Sequence, residues 1–105
     1  MMLNGGTLGD ARILGSKTVE LLISNRIDDE QSAYPGYNFG LGYSIVTNVG
    51  KAEEPLTPGS FGWGSAWGMY FWVDPTENMQ AIVTTQITRF RQLSFRSMLS
   101  VLVAE

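Results

Sequence analysis

The chain has 105 residues, 44% of them hydrophobic and 16% charged, which is enough for one globular domain and rules out two. Ten acidic against seven basic side chains give a net charge of -3, and no basic group is denser than Arg89, Arg91 and Arg96, so a nucleic-acid partner is not expected. Cys and His are both absent, which excludes within this chain disulfides, thiol nucleophiles, Cys/His zinc sites and every Ser-His-Asp triad.

The opening Met1-Met2-Leu3-Asn4-Gly5-Gly6 reads as a helix stop, apolar residues followed by Asn and paired Gly suited to a left-handed terminus. After Arg12-Ile13-Leu14, Ser16 is expected to cap a helix over residues 17–26 that turns Val19, Leu22 and Ile23 to one face. Residues 27–36 read as a loop: Asp28-Asp29-Glu30-Gln31-Ser32 is a polar run expected to be solvated, and Tyr34-Pro35-Gly36 is turn chemistry. Over residues 37–49, Tyr37, Phe39, Leu41, Tyr43 and Ile45 alternate as in one strand, and Gly40 and Gly42 mark a side that another segment approaches closely.

A loop over residues 50–59, with Pro55 and Pro58, leads to a Gly-rich strand over 60–66 and an aromatic strand over 68–73. Asp74-Pro75-Thr76-Glu77-Asn78 turns the chain into a last strand over 79–87. Leu93, Met98, Leu99, Leu102 and Val103 then recur at helical spacing, with Arg96 and Ser100 off the apolar stripe. The fold class is α+β, an antiparallel sheet of about four strands packed against a C-terminal helix, with one further helix near the N-terminus. All of it forms a single domain over residues 1–105, whose stability should be modest because a chain this small buries only roughly 65% of its unfolded surface.

The longest apolar run, residues 69–73, is far short of the ~20 that span a bilayer, and the start lacks a basic-then-apolar leader. As written the chain is expected to be cytoplasmic and without membrane contact, unless it is part of a longer secreted protein. Asp10, Glu53, Glu54, Asp74 and Glu77 all lie in polar, turn-like contexts and read as solvent-facing rather than as an acid–base pair. Gly62-x-Gly64 and Gly40-x-Gly42 neither reach a third Gly nor open a helix, so no phosphate loop is expected. Phe61, Trp63, Trp67, Tyr70, Phe71 and Trp72 carry no basic residues between them, which favours core packing and pocket lining over base stacking. Neither a metal nor a cofactor is expected.

The run Gly59-Ser60-Phe61-Gly62-Trp63-Gly64-Ser65-Ala66-Trp67-Gly68, followed by Phe71-Trp72-Val73-Asp74-Pro75, resembles the C-terminal part of the serine β-lactamase, penicillin-binding protein and class VIII esterase superfamily. In members near the esterase branch a similar Gly- and Trp-rich run replaces the Lys-Thr-Gly strand of the lactamases. Met2-Leu3-Asn4-Gly5-Gly6, Arg12-Ile13-Leu14-Gly15-Ser16-Lys17-Thr18-Val19 and Phe39-Gly40-Leu41-Gly42-Tyr43 look like segments of the same family in the same order, so the resemblance extends to about Gln86. It implies a strand along one wall of an active-site cleft, with Trp63, Gly64, Ser65 and Ala66 as substrate-binding residues. Trp63-Gly64-Ser65 would stand where Lys-Thr-Gly stands, and the backbone N–H near Ala66 would be one of two oxyanion donors, a role that needs preorganised backbone dipoles. Ser65 stands where Gly is usual, and Met69 replaces a small hydroxyl residue.

The family's nucleophile lies in Ser-x-x-Lys, but the residues three before Lys17 and Lys51 are Leu14 and Asn48. Tyr34-Pro35-Gly36, Tyr37-Asn38-Phe39, Tyr43-Ser44-Ile45 and Tyr70-Phe71-Trp72 do not form the family's Tyr triplet. A nucleophile without an adjacent base has no route to activation, so no catalytic residue is assigned. The chain is expected to be a truncated segment of a lactamase-related serine hydrolase, not competent alone. The alternative is a stand-alone oligomeric interaction or small-ligand module that reuses the fold segment. The expected partner is a missing N-terminal half, or a second copy paired through the sheet edge at residues 79–87, where Gln80, Thr84, Gln86 and Thr88 supply no blocking Lys or Pro.

Overall fold

A computed structural model describes residues 1–52, 54–88 and 95–104. Five strands, β3 (Tyr37–Phe39), β4 (Ser44–Val46), β5 (Phe61–Gly64), β6 (Tyr70–Asp74) and β7 (Met79–Val83), form one antiparallel sheet in chain order. Ahead of it, β1 (Thr7–Leu8) and β2 (Ala11–Arg12) make a small antiparallel pair, followed by α1 (Ser16–Leu22), and α2 (Phe95–Ala104) ends the chain. The architecture is the α+β one expected, with five strands in the main sheet instead of about four.

The fifth strand arises because residues 37–49 do not run as one strand. Gly40 donates to the Tyr43 carbonyl at 2.8 Å, closing a two-residue turn at Leu41-Gly42, and Gly42 takes φ 106, which suits Gly and few other residues. β3 and β4 then pair as Tyr37 with Val46 and Phe39 with Ser44. The close approach anticipated at the glycines is present at Gly40, where a Cβ would lie 2.5 Å from the Leu22 carbonyl oxygen. That same carbonyl accepts the Leu41 N–H, and Arg26 N–H donates to the Phe39 carbonyl, so α1 stops at Leu22 and the chain turns along β3. The helix therefore covers Ser16–Leu22 rather than 17–26, its N-cap is Gly15 and not Ser16, and only Val19 of its apolar face is fully buried. At the start, Met2–Asn4 form one 3-10 turn that ends on Gly5 at φ 63, the left-handed stop expected there.

Each face of the sheet carries its own core. Ile45, Phe61 and Val73 lie on one face under Met2, Leu3 and Ile23 from the N-terminal segment. Val46, Leu56, Tyr70 and Trp72 fill the other, with Tyr37, Ala52, Met79, Ala81 and Val83 around them. The 50–59 loop thus contributes core as well as connection. Of the terminal apolar stripe, Leu93 and the Arg96 side chain lie outside the described residues, as do Arg89, Arg91 and Glu53. Within α2, Ser100 is fully buried although expected off the stripe; its hydroxyl donates to the Ser97 carbonyl at 2.9 Å, which meets its hydrogen-bonding need inside the helix. Met98 and Leu102 are 59% and 67% exposed. No helix among the described residues is long and apolar enough to cross a membrane.

Candidate functional site

β5 and β6 form a hairpin whose pairing runs from Phe61 opposite Val73 to Gly64 opposite Tyr70. Its tip closes with two backbone bonds, Ser65 N–H to the Met69 carbonyl at 2.8 Å and Gly68 N–H to the Ser65 carbonyl at 3.2 Å. Gly68 takes φ 81, so the connection is a three-residue loop ending in a left-handed Gly bulge. The Ser65 hydroxyl accepts the Trp67 N–H at 3.3 Å, so this side chain, at a position where the resemblance leads one to expect Gly, serves the turn itself.

The four residues singled out in the sequence therefore sit together. Trp63, Gly64, Ser65 and Ala66 are all exposed, at the end of a strand whose first two residues are buried. Trp63 is 49% exposed and its ring meets Phe39 edge-on with centroids 5.1 Å apart. The Ala66 N–H has no acceptor among the described residues, while the amides of Ser65, Trp67 and Gly68 around it are all engaged. It is an unpaired donor, among the described residues, on an exposed residue of the turn. The tip is held from behind as well: the Trp67 carbonyl accepts from Ile87 N–H at 3.2 Å and from the Thr85 hydroxyl at 3.0 Å. Neither Phe39 nor the Thr85–Ile87 tether was identifiable from sequence, because both join segments far apart in the chain.

Two carboxylates expected to face solvent are buried. Asp74, 2% exposed, accepts from the Thr57 hydroxyl and, at 3.0 and 3.1 Å, from the Thr76 and Glu77 N–H groups. Burial raises the Asp74 pKa, but the hydrogen bonds from Thr57, the Glu77 and Thr57 amides and Ser60 outweigh it and hold the carboxyl below its ordinary value. The Asp-Pro-Thr-Glu order carries a readable signal, an Asp whose side chain takes the amides two and three residues on. Glu54, 6% exposed, accepts from the Tyr37 and Tyr70 hydroxyls at 3.0 and 3.2 Å. In the polar run, Asp29 accepts from buried Asn38 at 2.9 Å, so this stretch is partly structural. Among the described residues no three His, Cys, Asp or Glu side chains gather as a metal-binding group.

No model of a known protein family matches the chain. An uncharacterised protein of Mycobacterium tuberculosis, present in two strains as MT1414 and Rv1367c, is 31% identical over 90 residues, 75% of this chain and 22% of that protein. Among solved structures, EstCE1, a hydrolase with promiscuous acyltransferase activity, superposes over 98% of this chain and 26% of its own length with TM-score 0.76 and 25% identity. A mutant of simvastatin synthase (LovD) from Aspergillus terreus superposes over 98% of this chain and 30% of its own, with TM-score 0.69 and 18% identity. The chain thus spans about a quarter of the length of the proteins it matches. Both solved structures have the serine β-lactamase-like fold, and this chain shares that fold over nearly its whole length.

Proposed function

We propose that this segment of the serine β-lactamase, penicillin-binding protein and class VIII esterase superfamily supplies the substrate-lining strand of an esterase- or lactamase-like serine hydrolase. Trp63, Gly64 and Ser65 form one wall of the cleft, and the Ala66 N–H is one of two donors to the oxyanion of the tetrahedral intermediate. The observation that carries this reading is the Ala66 amide itself, unpaired among the described residues and fixed between the two bonds that close the hairpin. Such a donor stabilises negative charge as it develops and needs no reorganisation to do so. The nucleophile and its base come from outside these 105 residues, because no Ser-x-x-Lys is present, and the chain is not competent alone.

The purified chain should therefore leave nitrocefin and p-nitrophenyl butyrate unhydrolysed. The decisive test grafts residues 1–105 into EstCE1 in place of its matching segment and compares the graft with its Ala66→Pro variant. Proline fits the second position of this turn and removes only an unused N–H. With both proteins melting alike, kcat for p-nitrophenyl butyrate should fall about 10²- to 10³-fold. An unchanged kcat overturns the assignment.

A second reading, a stand-alone oligomeric module, is favoured by the β7 edge. Ile82 is 74% exposed on it, and Gln80 and Thr84 place no charge there. Sedimentation equilibrium at micromolar concentration should then give a dimer or larger species; a monomer removes this reading.

A further inference from the structure

Ser44 pairs with Gly62 and Gly62 with Trp72, so the three stand in one row across β4, β5 and β6. A narrow cavity of about 10 Å³ adjoins this row, lined by Ser44, Gly62, Trp72, Ser60 and Tyr70 among others. Trp72 is 1% exposed, and its indole Nε1, fully buried, has no hydrogen-bond partner among the described residues. A buried N–H without an acceptor is rare in folded proteins, because its hydration is lost and nothing replaces it. The neighbouring hydroxyls do not fill the need: those of Tyr37 and Tyr70 serve Glu54, and that of Ser60 serves Asp74 and faces Thr57 Oγ1 at 3.3 Å.

We infer that this cavity is a binding site for one internal water, which accepts the Trp72 Nε1 proton and donates to the hydroxyl oxygens of Ser44 and Ser60. An internal water needs room for about one water-sized sphere and two to four polar partners, and both conditions hold. A wholly apolar cavity would stay dry, but this one is lined by Trp72, whose indole N–H is orphaned among the described residues, and by two serines. Any larger ligand is excluded by volume. The water joins β4 to β6 across a position that has no side chain of its own, at the buried end of the strand that carries Trp63 and Gly64. It is independent of the hydrolase reading and holds whether or not that reading stands.

The test uses the full chain labelled with ¹⁵N. Magnetisation transfer from water to the Trp72 indole Hε1, assigned by its loss in Trp72→Phe, should give NOE and ROE cross-peaks of opposite sign, the mark of a water held for nanoseconds or longer. Ser44→Ala should keep the cross-peaks, since Ser60 remains as a partner; their loss would assign them to the serine hydroxyl and overturn the inference. Ser44→Val, which fills the cavity with methyl groups, should abolish them while the amide spectrum stays folded. Wild-type Hε1 without a water cross-peak, or one unchanged in a folded Ser44→Val, overturns the site.

Discussion

The two ends of the β5–β6 hairpin are built from similar residues and have opposite fates. At the covered end, away from the loop, Phe61, Trp72, Val73 and Asp74 are buried, and the Asp74 carboxylate collects donors from the 55–60 loop and from the turn that follows. At the open end Trp63, Ser65, Ala66, Trp67 and Met69 are exposed, and the Ala66 amide has no acceptor among the described residues. Composition does not separate the two ends, since Trp, Gly and Ser occur at both. What separates them is cover: Leu56 and the N-terminal Met2 and Leu3 pack into the two cores that hold Phe61, Trp72 and Val73, and Trp63 belongs to neither core. On the proposed function, this exposed aromatic strand end, with a donor unpaired among the described residues, is the cleft wall, and the saturated polar anchor behind it would hold that wall in place.

The strongest way to break this comparison is to remove one tryptophan from each end. Trp72 stacks on Tyr70 with centroids 5.3 Å apart at the centre of its core, so Trp72→Ala should cost about 3 to 5 kcal/mol. Trp63→Ala removes a half-exposed ring that meets Phe39 and should cost clearly less. Urea unfolding of both variants measures the gap; equal costs would make Trp63 a core residue and end its role as cleft wall.

Next in size is the anchor. Asp74→Asn keeps an acceptor for Thr76 and Glu77 but brings an NH₂ group against the donors of Thr57. Hydrogen bonds to a charged partner are each worth about 1.5 to 3 kcal/mol, and a loss of about 2 kcal/mol is expected at pH 7. The pH dependence fixes the sign. The folded-state pKa of Asp74 is lowered, so its contribution is complete above its unfolded value near 3.8 and is lost as pH falls through the folded value. Wild type should therefore lose stability on acidification below about pH 4 more steeply than Asp74→Asn, and the two unfolding curves should converge there. Parallel curves would show that the carboxylate is not the group that matters.

How far these features were legible follows from the geometry of each. The β5–β6–β7 meander could be read because its turns carry Asp-Pro and Gly signals and its side chains alternate, and the Gly/Trp run located the tip. The β3–β4 hairpin could not. Tyr37, Phe39, Leu41, Tyr43 and Ile45 alternate without a break, yet the two-residue turn sends Tyr37 to the face of Val46 and Trp72 and leaves Tyr43 and Ile45 on the face of Phe61. A period of two cannot reveal a reversal that falls between two of its members. Glu54 and Asp74 were misread for another reason: burial of a carboxylate depends on donors from elsewhere, here Tyr37 and Tyr70 for one and Thr57 for the other, at separations of 16 and 17 residues. The Ser16 cap failed because Gly15 already provides the extended residue before the helix.

The smallest expected effects come from the two glycines of β5, which sharpen the comparison within a single strand. A Cβ at Gly62 would lie 2.1 Å from the Phe71 carbonyl oxygen, a backbone atom fixed by the β5–β6 ladder. Gly62→Ala must push the strands apart and should cost about 1 to 3 kcal/mol, as overpacking does. At Gly64 the nearest atoms would be the Met69 carbonyl oxygen at 3.4 Å and a Tyr70 ring carbon at 3.8 Å, ordinary contacts, and the φ there is not a left-handed one. Gly64→Ala should therefore change stability by no more than about 0.5 kcal/mol. Its consequence belongs to the site instead: the added methyl stands beside Trp63 and Ser65, where a substrate carbonyl would approach the strand. In the EstCE1 graft it should raise KM for p-nitrophenyl butyrate with the melting temperature unchanged. If Gly64→Ala destabilises the isolated chain as much as Gly62→Ala, the open end is packed after all, and the glycine there serves the fold rather than the approach of a substrate.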